Sequence, residues 1–99
     1  MTEFKLHAVY IMANIYNTTI YVGMTSDLPR RVMEHKKKLV KKGFTARYHL
    51  TKLVYYETGE DREGVLEREK QIKKYSREKK NRLITSMNPK WKDVSDQVL

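Results

Sequence analysis

The chain has 99 residues, 39% of them hydrophobic and 10% aromatic, which excludes a disordered segment and allows one modest buried core. Cysteine is absent, so disulfide scaffolds and thiolate metal sites are excluded, and a reducing compartment is compatible. Lys and Arg number 21 against 12 Asp and Glu, giving a formal charge of +9, the electrostatic footprint of a polyanion binder.

No apolar run approaches the roughly 18 residues of a membrane span, and nothing resembles a signal peptide. A cytoplasmic single domain over residues 1–99, with its core at about 7–93, is the expectation.

Thr2–Leu6 reads as a lead-in. His7–Asn14 and Thr19–Val22 are rich in β-favouring residues and flank Ile15-Tyr16-Asn17-Thr18, where Asn17 is the natural turn residue. This is a β-hairpin pattern. A loop of two or four residues sets Tyr10 and Tyr21 on one face, as diagonal neighbours in the four-residue case. A three-residue loop would separate them. Gly23, two residues after Tyr21, leaves room for a ligand or another backbone to approach closely.

Ser26 or Asp27 can cap the next helix, and Pro29 is tolerated because it falls in the first turn. The helix is expected to run to about Lys42 and to end at Gly43. Its apolar stripe is Leu28, Val32 and Leu39; His35 lies within it, and Arg31 sits one turn earlier at its edge. Arg30, Lys36, Lys37 and the lysines to Lys42 make the outer face basic.

Phe44–Leu50, with Arg47 and His49, reads as a basic loop or short helix, and Lys52–Thr58 as the third strand. After the turn Gly59-Glu60-Asp61, a helical pattern runs from near Asp61 to about Lys80, with a break expected before a short helix at Arg82–Met87. Val65, Leu66, Ile72 and Ser76 share one face with Glu69 at its centre, whereas Glu63, Glu67 and Glu78 lie off it. The basic run Lys70, Lys73, Lys74, Arg77, Lys79, Lys80 and Arg82 could follow a nucleic-acid backbone. Asn88-Pro89 ends the regular structure, Trp91 is expected to anchor the chain on the body, and Ser95–Leu99 to fray. The order β-β-α-β-α-α predicts an α+β domain, a small three-stranded antiparallel sheet flanked by helices.

Glu69 demands an explanation, because an unpaired carboxylate on an apolar face costs several kcal/mol. It could pair with Arg31, Arg47 or a lysine, lie at a solvated rim, or hold a divalent metal of the Mg²⁺ or Mn²⁺ type. His35 is either a satisfied core residue or a base or phosphate contact. Arg31 is either a surface ion pair or a phosphate clamp. Tyr10 and Tyr21 are core aromatics, or phenols that need a metal or cation nearby to accept a proton near neutral pH. Converging under a basic surface, these five residues would make the equipment for metal-assisted phosphodiester hydrolysis.

Their order is more specific than any one of them. Ala8-Val9-Tyr10, followed after ten intervening residues by Tyr21-Val22-Gly23, resembles the GIY-YIG signature, with Ala8 for Gly and Val9 for Ile in the first motif. Arg31, His35 and Glu69 in Leu66-Glu67-Arg68-Glu69 continue the pattern, and Leu53-Val54-Tyr55-Tyr56-Glu57 with Ser86-Met87-Asn88-Pro89-Lys90-Trp91 resembles small stand-alone bacterial members. The resemblance implies a GIY-YIG fold and one-metal cleavage of DNA using Mg²⁺ or Mn²⁺. Tyr10 would act as general base or position the water, and Tyr21 would support the water. Arg31 would bind the scissile phosphate, His35 would assist proton transfer, and Glu69 would ligate the metal. Gly23 would allow close approach, and Asn88 would give structural support. The DNA would be structured or damaged, of the kind met in repair or recombination, with Arg30, Lys36, Lys37, Arg47, Lys70, Lys73, Lys74 and Arg77 contacting it. A homodimer or protein partner is compatible with so small a module. The alternative is a basic nucleic-acid-binding module that keeps the fold without cleaving.

Overall fold

The computed structural model describes residues 6–37 and 48–99. Strands β1 (His7–Ala13), β2 (Ile20–Thr25) and β3 (Lys52–Gly59) form one antiparallel sheet in the order β2-β1-β3. Helix α1 (Leu28–Lys36) joins β2 towards β3, and α2 (Arg62–Lys73) and α3 (Arg77–Met87) follow, with a 3₁₀ turn at Ser95–Gln97. The architecture is the expected β-β-α-β-α-α, an α+β fold. Among the described residues no helix is long and apolar enough to cross a membrane.

β1 lies in the middle because its side chains are apolar on both faces. Val9, Ile11 and Ala13 pack with Val65, Ile72 and Ile84 of α2 and α3. Ala8, Tyr10 and Met12 pack with Leu28 and Val32 of α1 and with Leu50 and Leu53. A strand covered on both faces reads as a continuous apolar run, as His7–Ala13 does, rather than as an alternating one. The β1–β3 register shifts between Ile11 and Met12, which pair with Tyr55 and Leu53 and leave Val54 as a bulge.

The hairpin closes on four residues. The Asn14 N–H donates to the Thr19 carbonyl at 3.2 Å, bracketing Ile15–Thr18, and Asn17 takes the left-handed conformation with φ of 59°. At the start of α1, the Asp27 carboxylate accepts from the Arg30 N–H at 3.2 Å. Lys37 caps the described part of α1; the expected continuation to Lys42 and the stop at Gly43 lie outside the described residues, as do Leu39 and Arg47.

Two expectations are corrected. The long helical pattern breaks at 74–76, earlier than expected. Ser76 leaves the apolar face and becomes an N-cap whose hydroxyl accepts from the Lys79 N–H at 3.1 Å. The end of the chain is also docked rather than frayed. The Val94 N–H donates to the Leu53 carbonyl at 2.8 Å, Ser95 is buried, and Val94 and Val98 pack on the α1 face of the sheet. Asp93 drives this: its carboxylate accepts from the N–H groups of Leu53 and Ser95 and from the Ser95 hydroxyl, and pairs with Lys36. Trp91 does anchor the chain, packing on the α2–α3 cluster with its indole N–H on Thr85 Oγ1 at 3.1 Å.

Candidate active site

Register brings the two phenols together. Tyr10 pairs with Gly23 on β2, and Tyr21 with Met12, so both tyrosines point to the α1 face as diagonal neighbours. Their ring centroids are 6.3 Å apart. The reason for glycine at 23 is now visible: a Cβ there would lie 2.6 Å from Tyr10 Oη and 2.7 Å from Tyr21 Cε2. The space expected to admit a ligand or backbone is filled by the phenols themselves.

Helix α1 lays Leu28, Val32 and His35 onto the same face, all buried. His35 Nε2 lies 2.9 Å from Tyr10 Oη, and its ring centroid is 5.5 Å from that of Tyr10 and 6.0 Å from that of Tyr21. Burial raises the Tyr10 pKa well above the ordinary phenol value; nearby Tyr21 adds to this, the Arg31 charge opposes it, and the Glu69 and Glu34 charges reinforce it. Burial also lowers the His35 pKa, with Arg31 acting in the same direction and Glu34 against it. Near neutral pH a neutral phenol therefore meets a neutral imidazole. With the imidazole proton on Nδ1, the Tyr10 hydroxyl donates to Nε2 and keeps its oxygen lone pairs for another donor.

Arg31 stands one turn before His35 and is part exposed. Its guanidinium lies 3.4 Å from one Glu34 oxygen, and that of Arg30 lies 3.6 Å from the other. Glu34 was not singled out from the sequence, although its spacing of four and three residues from the two arginines is the signal that finds it. Thr25, Ser26, Asp27, Arg30, Arg31 and Glu34 line a polar hollow of about 210 Å³ at the start of α1, the helix that packs on the phenols' face.

Glu69 is carried by α2, which packs across β1 and β2. Its side chain is 14% exposed, against 75% for Glu67, and its nearest cation is Lys73 at 3.6 Å. Among the described residues one long ion pair holds this covered carboxylate, which keeps oxygen lone pairs for a further partner. Asn88 is buried away from the phenols: its amide donates to the Val54 and Lys92 carbonyls and accepts from the Lys92 N–H, which fixes the turn beyond α3.

The basic residues divide. Lys36 donates to the Thr51 carbonyl at 3.0 Å and pairs with Asp93 at 2.5 Å, so its charge is spent inside the molecule. Arg77 bonds the Asn17 and Thr18 carbonyls at 2.8 and 3.0 Å and holds the hairpin loop. Lys70 lies 3.9 Å from Glu67, whereas Lys37 and Lys74 are exposed.

A model of the GIY-YIG catalytic domain matches residues 6–82. A UPF0213 protein of Haloquadratum walsbyi is 39% identical over 77 residues, which is 78% of this chain and 84% of that protein. A UPF0213 protein of Syntrophus aciditrophicus is 38% identical over 81 residues, 82% of this chain and 91% of the other. The solution NMR structure of the UPF0213 protein BH0048 from Bacillus halodurans superposes with a TM-score of 0.55 at 24% identity, covering 89% of this chain and 92% of that one, a likeness of fold.

Proposed function

Since the chain belongs to the GIY-YIG family, with UPF0213 proteins among its relatives, we propose that it is a divalent-metal-dependent endonuclease hydrolysing DNA phosphodiester bonds. We read it as a single cytoplasmic domain, acting on structured or damaged DNA of the kind repair and recombination produce. The observation that carries this reading is the buried Tyr10–His35 pair with Arg31 one helical turn away.

The residues fit one hard divalent ion, Mg²⁺ or Mn²⁺. Among the described residues no three carboxylates or histidines cluster. Such an ion commonly needs only one or two carboxylates when substrate phosphate and water complete its shell, and Glu69 is the covered carboxylate that would hold it. Bound there, the ion would draw charge from the phosphate oxygens and make water easier to deprotonate.

The protein's own groups then have distinct tasks. The high Tyr10 pKa argues against a standing phenolate; the phenol is suited instead to pass a proton. Tyr10 Oη would accept a proton from the attacking water while its own proton moves to His35 Nε2, so the imidazole ends protonated and the phenol unchanged. The water oxygen would attack phosphorus as the opposite P–O bond breaks, the leaving alkoxide would take a proton from solvent, and the His35 imidazolium would return its proton to solvent. Tyr21 packs against both rings and holds the relay in place. Arg31 would exchange Glu34 for the non-bridging phosphate oxygens, a match of planar fork to phosphate.

Incubation with plasmid DNA and short branched DNAs, with Mg²⁺ or Mn²⁺, should give nicks that Glu69→Ala and Arg31→Ala abolish. Cleavage persisting in purified Glu69→Ala protein refutes the assignment. The second reading, a basic module that binds without cutting, has exposed Lys37 and Lys74 in its favour. It predicts binding that survives or tightens in Glu69→Ala, because a negative charge is removed.

A further inference from the structure

We propose that the β1–β2 loop is a stacking platform for an unpaired nucleobase, directing the site to DNA with a single-stranded stretch beside the bond cut. This inference rests on the nuclease reading above.

The loop is tied from several sides. Asn14 Oδ1 accepts from the Thr18 and Thr19 N–H groups at 2.9 and 3.0 Å, and its Nδ2 donates to Thr18 Oγ1 at 2.7 Å. Arg77 holds the Asn17 and Thr18 carbonyls, and Lys52 Nζ donates to Asn17 Oδ1 at 2.5 Å. Its tip nonetheless turns Ile15 and Tyr16 outward, 67% and 77% exposed. A fixed loop displaying a flat aromatic is organised in advance for a contact, with little ordering entropy left to lose.

Beside these side chains lies a mostly apolar hollow of about 300 Å³, lined by Asn14, Ile15, Tyr16, Tyr48, His49 and Thr51. Leu50, between His49 and Thr51, is buried in the same cluster as Tyr10. The hollow's rim is thus anchored on the face that carries the phenols. Asn14, just beyond the end of β1, is four residues from Tyr10, about 13 Å at roughly 3.3 Å per residue. The loop is thus close enough for one nucleic-acid strand to reach both.

Charge chooses the occupant. The chain carries +9, and the cations Lys52 and Arg77 border the loop, so a polyanion bearing π-faces suits it better than an acid-poor protein surface. Stacking tolerates any base, as a structure-selective rather than sequence-selective reader requires.

The test measures anisotropy of the full-length protein, without metal, on a labelled blunt duplex and the same duplex with a single-stranded tail. The tailed DNA should bind more tightly. Tyr16→Ala should weaken it about 5- to 30-fold while leaving the blunt duplex within about twofold, and Tyr16→Trp should keep the preference. A 2-aminopurine in the tail should lose fluorescence on binding the wild type and regain it with Tyr16→Ala. Thermal melting of Tyr16→Ala should match the wild type, since that side chain is exposed. Absence of a tail preference, or equal losses on both DNAs, overturns the platform and leaves the patch to a protein partner. Because no metal is present, failed nicking beside a Tyr16-dependent tail preference removes the nuclease reading alone; nicking without that preference removes the platform alone.

Discussion

Replacing Gly23 by Ala gives opposite signs under two accounts of that residue. Its φ is not positive, so no left-handed backbone requires glycine. On backbone grounds alone alanine should stabilise the strand by about 0.5–1 kcal/mol. Sterically, the new Cβ would stand 2.6 Å from Tyr10 Oη and 2.7 Å from Tyr10 Cζ and Tyr21 Cε2. Reaching an ordinary contact of about 3.4 Å means moving the Tyr10 hydroxyl by about 0.8 Å, the difference 3.4 − 2.6. The Tyr10–His35 bond, at 2.9 Å, tolerates only about 0.3 Å before it leaves good geometry. Overpacking of this kind costs about 1–3 kcal/mol, so against the backbone gain the net loss is about 0–2.5 kcal/mol, about 1.3 kcal/mol at mid-range. For a chain this long, the mid-range loss lowers the melting temperature by about 5–10 °C. Urea melts of Gly23→Ala, Tyr10→Phe and the double variant test the cause. Removing the hydroxyl relieves the shortest contact, so the double variant should be less destabilised than the sum of the two. A Gly23→Ala protein as stable as wild type, with additive behaviour, would falsify the steric account.

Other outcomes follow from the same geometry. Lowering the pH should weaken both fold and activity through His35. Its folded pKa is depressed, so the stability it contributes is present above its ordinary value near 6.5 and is lost as pH falls through the folded value. In His35→Gln that acid-side loss of stability should be smaller in pH-dependent melts, and an unchanged profile would count against a buried neutral imidazole. Asn88→Ala should cost about 2–4 kcal/mol in urea denaturation, because the Val54 and Lys92 carbonyls and the Lys92 N–H lose their partner together. A loss under about 0.5 kcal/mol would mean that water replaces the amide. Finally, Lys37→Ala and Lys74→Ala should each reduce the salt slope of duplex binding by up to about 0.9, whereas Lys36→Ala should leave that slope intact and lower the melting temperature instead. A reversed pattern would place Lys36 on the DNA.

Local chemistry carried the parts of the fold that the sequence made legible. The apolar runs and the Asn17 turn mark the hairpin but leave its loop length open, and the four-residue loop of the structure sets Tyr10 and Tyr21 on one face; helical spacing does separate covered Glu69 from exposed Glu67. What stayed hidden depends on partners far along the chain. Lys36 looked like one more outward lysine because Asp93, which neutralises it, lies 57 residues away. Arg77 looked like part of a basic stripe, yet it reaches back about 60 residues to the hairpin loop. The break between α2 and α3 escaped periodicity because Lys74, Tyr75 and Ser76 include no Gly or Pro to mark a stop; the Ser76 hydroxyl on the Lys79 N–H marks the new start. Gly23 signalled close approach without saying of what, and the answer was the protein's own phenol.

The tie between Asp93 and Lys36 also makes the candidate site depend on a distant segment. Tyr10, Tyr21, Arg31 and His35 sit on the hairpin and α1, whereas Asp93, Val94 and Val98 buttress that face from far along the sequence. Residues 93–98 act as a strap that seats α1 against the sheet. A chain cut before Asp93 would keep all four of those side chains and lose the contacts that hold their face together.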